Sequence, residues 1–312
     1  MDEIRIPNDA TYAPVALTDL MAAAPLASRI LLGATLPGRV VSAAALAMYA
    51  GSVVKDWMRR ADMRWIDFEA EFGANVSCLE SMPEEARRDE VRELAGRLDA
   101  EYTGERRPRR ELARQVNGHL TDAIARITGQ RVLTSSEVRD FGLAELLFPF
   151  AMGVCDVLSG DVAIFRDTGM FEPHVICHEF VHRKGYWKEL HAQALAWLAL
   201  RWSGDPYLVQ AARAERLHRQ LKVLAGEDRS TYHDLVEGLA VREEIRRELR
   251  ALRPDPAGYE SAVSGAMRAL YDARLKLTGQ NGISDYDVGF TNFLWTFSRS
   301  TEARQERALA EV

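Results

Sequence analysis

His178-Glu179-Phe180-Val181-His182, followed by Arg183-Lys184-Gly185-Tyr186-Trp187-Lys188-Glu189, is the stretch that decides how this chain is read. Histidines four apart on a helix project from one face about a turn apart, so both imidazoles can reach one zinc ion at ~2.0–2.1 Å. Glu179 lies about 100° around from His178, placed to take a proton from a metal-bound water and not to compete as a ligand. A catalytic zinc takes three protein ligands and keeps one position open. Glu189 and His191 are the candidates for the third. On an unbroken helix Glu189 would lie ~10 Å beyond His182. Gly185 predicts a break there, with a new helix entered at Tyr186 to Trp187 and Glu189 folded back toward the ion.

The motif's surroundings argue against a chance match. Its interior is Phe180 and Val181 and its upstream side is Val175-Ile176-Cys177. Histidines and a carboxylate among apolar neighbours are costly unless a metal or polar partners satisfy them. Four of the seven histidines fall between 174 and 191, which concentrates the ligand-bearing residues here. His174, one turn before His178, reads as a helix-start or supporting residue, and Cys177 as a packed core thiol. Two other chemistries stay open. Glu179-x-x-His182 and Glu215-x-x-His218 could form the paired ExxH of a di-iron carboxylate protein, although that would leave His178 unused. A non-catalytic scaffold could close a structural zinc with His178, His182, Glu189 and His191.

Outward from the motif, Pro173 stands at a favourable first-turn position for the helix that carries the histidines. Before it, Val154 to Phe165 holds two short β-rich runs around Ser159-Gly160-Asp161, which is hairpin chemistry. Arg109 to Thr128 carries Leu112, Val116, Leu120, Ile124 and Ile127 on one face and stops at Gly129. Ala43 to Arg60 has helical spacing, and Ser81-Met-Pro-Glu84 resembles a capping box ahead of a helix over Glu85 to Tyr102. After Tyr186 the chain returns to long helical patterns, interrupted near 203–206, 226–230, 254–258 and 279–282. The expected fold is mainly α with a small β element: a helical N-terminal region over 1–129 and a zincin-like metallohydrolase domain over 130–312.

Composition bounds the partners. Hydrophobic residues make up 47% of the 312, enough for a substantial core. A net charge of -6 argues against nucleic acid as the main partner, because phosphate binding needs a concentrated basic surface. Arg106, Arg107, Arg109 and Arg110 surround Pro108 and read as a solvated connector. Cys78, Cys155 and Cys177 are widely spaced and fit a reducing, cytoplasmic compartment. Met1 to Pro14 does not read as a secretory signal. Residues 30–54 are apolar apart from Arg39 and read as a buried or membrane-surface helix, with a true span left open.

An HExxH helix followed by a helix bearing Glu189-Leu190-His191-Ala192-Gln193 resembles the gluzincin side of the zincin metallopeptidases, including CAAX-prenyl-protease-like and ImmA-like peptidases. That resemblance assigns Glu189 as third zinc ligand over His191. Gln193 departs from the Asn or Asp usual there. Lys188 stands where a metzincin-like pattern wants His. The chain is also similar to an uncharacterised bacterial family, a domain of unknown function with HExxH-x-x-Gly followed by Glu-x-x-Ala-Asn. Three blocks carry this likeness: Leu147-Phe148-Pro149-Phe150, Cys177 to Leu198, and Leu275-Lys276 through Gly279-Gln280-Asn281-Gly282 to Tyr286. The resemblance implies a zinc metallopeptidase acting on a peptide or protein substrate. Zincins use a later Tyr, His or Arg to stabilise the oxyanion, and Tyr286 is the candidate, with Tyr232 and His233 behind it.

Overall fold

The computed structural model describes residues 2–9, 35–140, 151–226, 228–253 and 260–310. It is mainly α with small β elements, as expected from the sequence. The chain order is β1 (Asp2–Arg5), α1 (Leu36–Arg60), α2 (Phe68–Phe72), α3 (Glu84–Ala100), α4 (Arg109–Thr128), β2 (Gln130–Leu133), β3 (Arg139–Asp140), β4 (Gly153–Cys155) and β5 (Val162–Ile164). After a 3-10 turn at Gly169–Phe171 come α5 (Glu172–Arg183), α6 (Glu189–Trp202), α7 (Pro206–Ala225), α8 (Arg229–Glu237), α9 (Glu243–Leu252), α10 (Glu260–Leu277), a 3-10 turn at Ile283–Tyr286, and α11 (Val288–Ala310).

The histidine-bearing helix α5 is the centre of the molecule: every residue from Glu172 to Arg183 is buried. It packs against α4, α6, α7, β4 and β5. The expected stripe of α4 explains one wall, with Leu112, Val116, Leu120 and Ile124 all buried, and Gly129 ends that helix in the left-handed conformation. The main hydrophobic cluster runs from Ile4 and Ile6 through α4, α5 and α6 to Phe290 and Phe293, so it takes residues from both sides of the 129/130 junction. A second cluster joins α3, α7, α8 and α9 through Leu98, Leu217, Leu221, Tyr232, Ile245 and Leu249.

The β elements are two small sheets. β1 runs parallel to β2, with Asp2 opposite Gln130 and Arg5 opposite Leu133. The second has the order β3-β5-β4, with β4 antiparallel to β5. This is the expected hairpin: Asp156 Oδ1 accepts from the Leu158 and Ser159 amides, and the Gly160 amide donates to Asp156 O at 2.8 Å.

One expectation is corrected. No capping box forms at Ser81, because Pro83 occupies the cap position, the helix starts at Glu84 and no side chain caps it. The arginine knot is an exposed connector, as expected, with Arg106, Pro108 and Arg110 at the surface. It is also pinned by ion pairs: Arg106 pairs with Glu248, Arg107 with Glu105 and Asp205, and Arg109 with Glu172 and Asp140. The expected interruption at 254–258 and the block Leu147 to Phe150 lie outside the described residues.

Candidate metal centre

The site begins with the end of α5. Arg183 and Lys184 are fully buried, and burial pushes both down, Arg183 to about 10 and Lys184 to about 7. Their hydrogen bonds run to a carbonyl of β2, a hydroxyl of α4 and carbonyls of the β2–β3 and β4–β5 loops. Arg183 Nε donates to Gly160 O at 2.6 Å and its Nη1 to Ser135 O and Glu137 O at 2.9 and 2.8 Å. Lys184 Nζ donates to Val132 O at 2.6 Å and Thr121 Oγ1 at 2.9 Å. Each bond to a charged donor contributes about 1.5–3 kcal/mol, so the helix end is held firmly.

Beyond it the chain turns where expected. Gly185 has φ +106°, and a Cβ there would stand 2.9 Å from Trp65 Cη2, so both the backbone and the neighbouring indole require glycine. The new helix starts at Glu189 itself, slightly later than the expected Tyr186 to Trp187, with Lys188 at its cap. The Glu189 amide, one of the unpaired first-turn donors, gives its proton to Gln280 Oε1 at 2.7 Å. The Gly279 to Gly282 block therefore fixes where α6 begins.

That turn brings three donor atoms together. His178 Nε2 lies 3.1 Å from Glu189 Oε2, His182 Nε2 lies 3.3 Å from the same oxygen, and the two Nε2 atoms are 3.1 Å apart. Tetrahedral bonds of ~2.0–2.1 Å place donors about 3.3 Å from one another, so the triangle has the dimensions one small ion requires. The three residues are buried, and among the described residues this is the one His/Cys/Asp/Glu group drawn close enough to hold a metal ion. His182 Nδ1 faces Tyr186 O at 2.8 Å; the bond uses the Nδ1 proton and leaves the Nε2 lone pair for a metal.

Electrostatics follow the geometry. Burial pushes Glu189 up, but His182 and His178 outweigh it and hold the carboxyl well below the usual range. Burial likewise pushes His182 down, yet Glu189 prevails and raises it to about 9. Glu179 is raised by burial, only partly offset by His178 and His182. Its side chain packs against β4, where a Cβ on Gly153 would stand 3.2 Å from Glu179 Cγ, so Gly153 leaves Glu179 its space.

Tyr286 and a residue the sequence reading missed complete the wall. Tyr271, on α10, donates its hydroxyl to Glu189 Oε1 at 2.7 Å and faces the Tyr286 hydroxyl at 3.1 Å. The Tyr286 ring stacks on His178 with centroids 5.8 Å apart, and Trp187 stacks on His182 at 5.9 Å. No local pattern marks Tyr271, which sits 82 residues after Glu189 on another helix.

The remaining candidates lie elsewhere. His191 stacks on Phe68 at 3.6 Å and bonds Asn75 Oδ1 at 3.0 Å, away from the triangle, so no four-residue set with His191 forms. Glu215 pairs with Arg219, and His218 Nδ1 meets the Tyr232 hydroxyl at 2.7 Å, so the paired ExxH geometry is not formed. His174 is buried 3.8 Å from Glu215, and burial lowers it to about 4, a neutral packing residue behind the site. His233 bonds Arg253 O at 2.8 Å. Cys177 is fully buried, and burial pushes its thiol up.

Comparison with known proteins adds one likeness. Residues 164–294 match the model of a family described as a protein of unknown function, DUF3810. That segment runs from β5 through the candidate metal site into α11, and so contains His178, Glu179, His182, Glu189, Tyr271 and Tyr286. No curated protein and no solved structure matches the chain.

Proposed function

We propose that this protein is a zinc-dependent hydrolase, a metallopeptidase in which His178, His182 and Glu189 hold the ion and Glu179 is the general base. The observation that carries this reading is the donor triangle of 3.1, 3.1 and 3.3 Å with Glu179 on the same helix. Three protein donors and no fourth among the described residues fit an ion that keeps a position for water or substrate, whereas a structural zinc is normally closed by four. Bound there, zinc would polarise a substrate carbonyl and lower the pKa of a coordinated water to about 7.

The chain's own groups supply the rest. Glu179 is raised by burial, which makes it a stronger base than an exposed carboxylate and suits it to accept a proton and return it to a leaving amine. The Tyr286 hydroxyl is kept protonated by burial and by Glu189, so it remains a donor for a developing oxyanion. β4 ends the described sheet beside Glu179, and an extended peptide could pair with such an edge through main-chain hydrogen bonds. This supports a peptide or protein substrate. Three free cysteines support a cytoplasmic setting, and α1, long and apolar enough to cross a membrane, supports membrane association there.

The test is Glu179→Gln, assayed for zinc content and for cleavage of a broad peptide library. We expect zinc to remain bound and turnover to fall by ~10²–10⁴-fold. Cleavage by the variant at the wild-type rate would overturn the assignment of Glu179.

A further inference from the structure

The helix α1 is apolar yet unburied. Its 25 residues make a rod of about 37 Å, against a bilayer hydrocarbon core of about 30 Å. Only 6% of its most apolar 18-residue window is buried. The exposed side chains Leu36, Val40, Val41, Leu46, Met48, Val54, Trp57 and Met58, placed at about 100° per residue, cover most of the circumference. Among the residues of α1 whose burial is described, Gly38, Tyr49, Asp56 and Arg60 form the one buried stripe. Its exposed face is mostly apolar, with Arg39, Lys55 and Arg59 near its two ends as the charged exceptions, and a broad apolar face of that kind belongs in a protein core or in lipid, whereas among the described residues nothing buries this one. Its C-terminal end carries the residues of a membrane interface: exposed Trp57 and Trp65 with exposed Arg59, and Arg64, which also pairs with Asp2. Cations there suit anionic headgroups.

This collar is fastened to the metal centre. Arg60 Nη2 donates to the Arg183 carbonyl, at the end of the histidine helix, at 2.9 Å. Trp65 meets Tyr186 edge-on with centroids 5.3 Å apart, and its indole fills the space that Gly185 leaves. Tyr186 in turn accepts the Nδ1 proton of His182. Two contacts thus separate an interfacial tryptophan from a metal ligand.

We propose that α1 is seated in a lipid bilayer and that its Trp/Arg collar holds the metal centre at the membrane surface, so that the substrate is a polypeptide segment next to the bilayer. The inference rests on the metallohydrolase reading and adds to it the place of catalysis and the class of substrate. A dimer formed through α1 is the competing occupant of the same face.

The experiment uses the full chain with vesicles of phosphatidylcholine containing phosphatidylglycerol. Wild type should float with the vesicles, and lipids brominated near the headgroup should quench fluorescence that is lost in the Trp57→Phe, Trp65→Phe variant. Leu46→Glu with Met48→Glu, both exposed positions, should lower partitioning about a hundredfold or more while leaving helicity and zinc content unchanged. A library peptide tethered to the vesicle by an acyl chain should be cleaved at least about tenfold faster than the same peptide free in solution, since tethering raises its effective concentration. Zinc bound without flotation, or a vesicle-independent dimer broken by the α1 variant, overturns this inference and leaves the hydrolase reading intact. Equal cleavage of tethered and free peptide overturns the substrate class. Flotation of a protein that binds no zinc overturns the inference through the failure of the reading beneath it.

Discussion

Replacing Tyr271 by Phe should weaken metal binding while leaving the fold in place. The hydroxyl donates to Glu189 Oε1 at 2.7 Å, and the other oxygen, Oε2, is the one that faces His178 and His182. Tyr271 therefore fixes which oxygen is presented and keeps the carboxylate from rotating away. A hydrogen bond to a charged acceptor contributes about 1.5–3 kcal/mol, and 1.4 kcal/mol is tenfold in a binding constant, so zinc affinity should fall about 10–100-fold. Loss of outer hydrogen bonds around metal ligands typically has that size. Phe keeps the ring, so the packing of α10 against the Ile283–Tyr286 turn is preserved. The assay is competition for zinc against a chromophoric chelator, with urea unfolding of the same samples as the control. An affinity within about twofold of wild type at unchanged stability would refute the argument that Tyr271 holds Glu189 in place.

Three further outcomes follow from other parts of the structure. Gly185→Ala forces a Cβ toward Trp65 and a side chain into φ +106°; we expect a loss of about 2 kcal/mol or more in urea unfolding and weaker zinc binding, and wild-type behaviour in both would refute the turn's role. His191→Ala loses the stack on Phe68 and the bond to Asn75, so stability should fall by about 2 kcal/mol with zinc affinity unchanged, whereas a collapse of zinc binding would restore His191 as a ligand. Burial pushes Glu215 up, but Arg219 and His174 outweigh it and hold it at about 2. Its folded-state pKa is thus depressed, so its stabilisation is present above the unfolded value near 4.5 and is lost as pH falls toward 2, on the order of 3 kcal/mol in all. Glu215→Gln should flatten the acid limb of a stability-versus-pH curve over that window, and an unchanged limb would count against the assignment.

What the sequence made legible was local in origin. The four-residue spacing of His178 and His182, the break at Gly185, the α4 stripe with its Gly129 stop and the hairpin at Ser159-Gly160 are each set by neighbours a few residues apart, and each leaves a period or a turn signature. The paired ExxH alternative failed for a reason visible only in three dimensions, because Arg219, one turn after Glu215, takes that carboxylate. Tyr271, Gln280 and Trp65 support the site across long stretches of chain, and contacts of that kind impose no spacing on the sequence. The β1–β2 pairing, which joins Asp2 to Gln130, was illegible for the same reason. At Ser81 a correct-looking local signal was overridden, since Pro83 already has the backbone conformation of a cap and starts the helix unaided.

The most direct test of the central claim is anomalous diffraction at the zinc edge from crystals of the full chain grown with zinc. The account predicts one strong peak about 2.0–2.2 Å from His178 Nε2, His182 Nε2 and Glu189 Oε2, with no fourth protein donor. A peak elsewhere, or a fourth protein side chain closing the coordination, would contradict it.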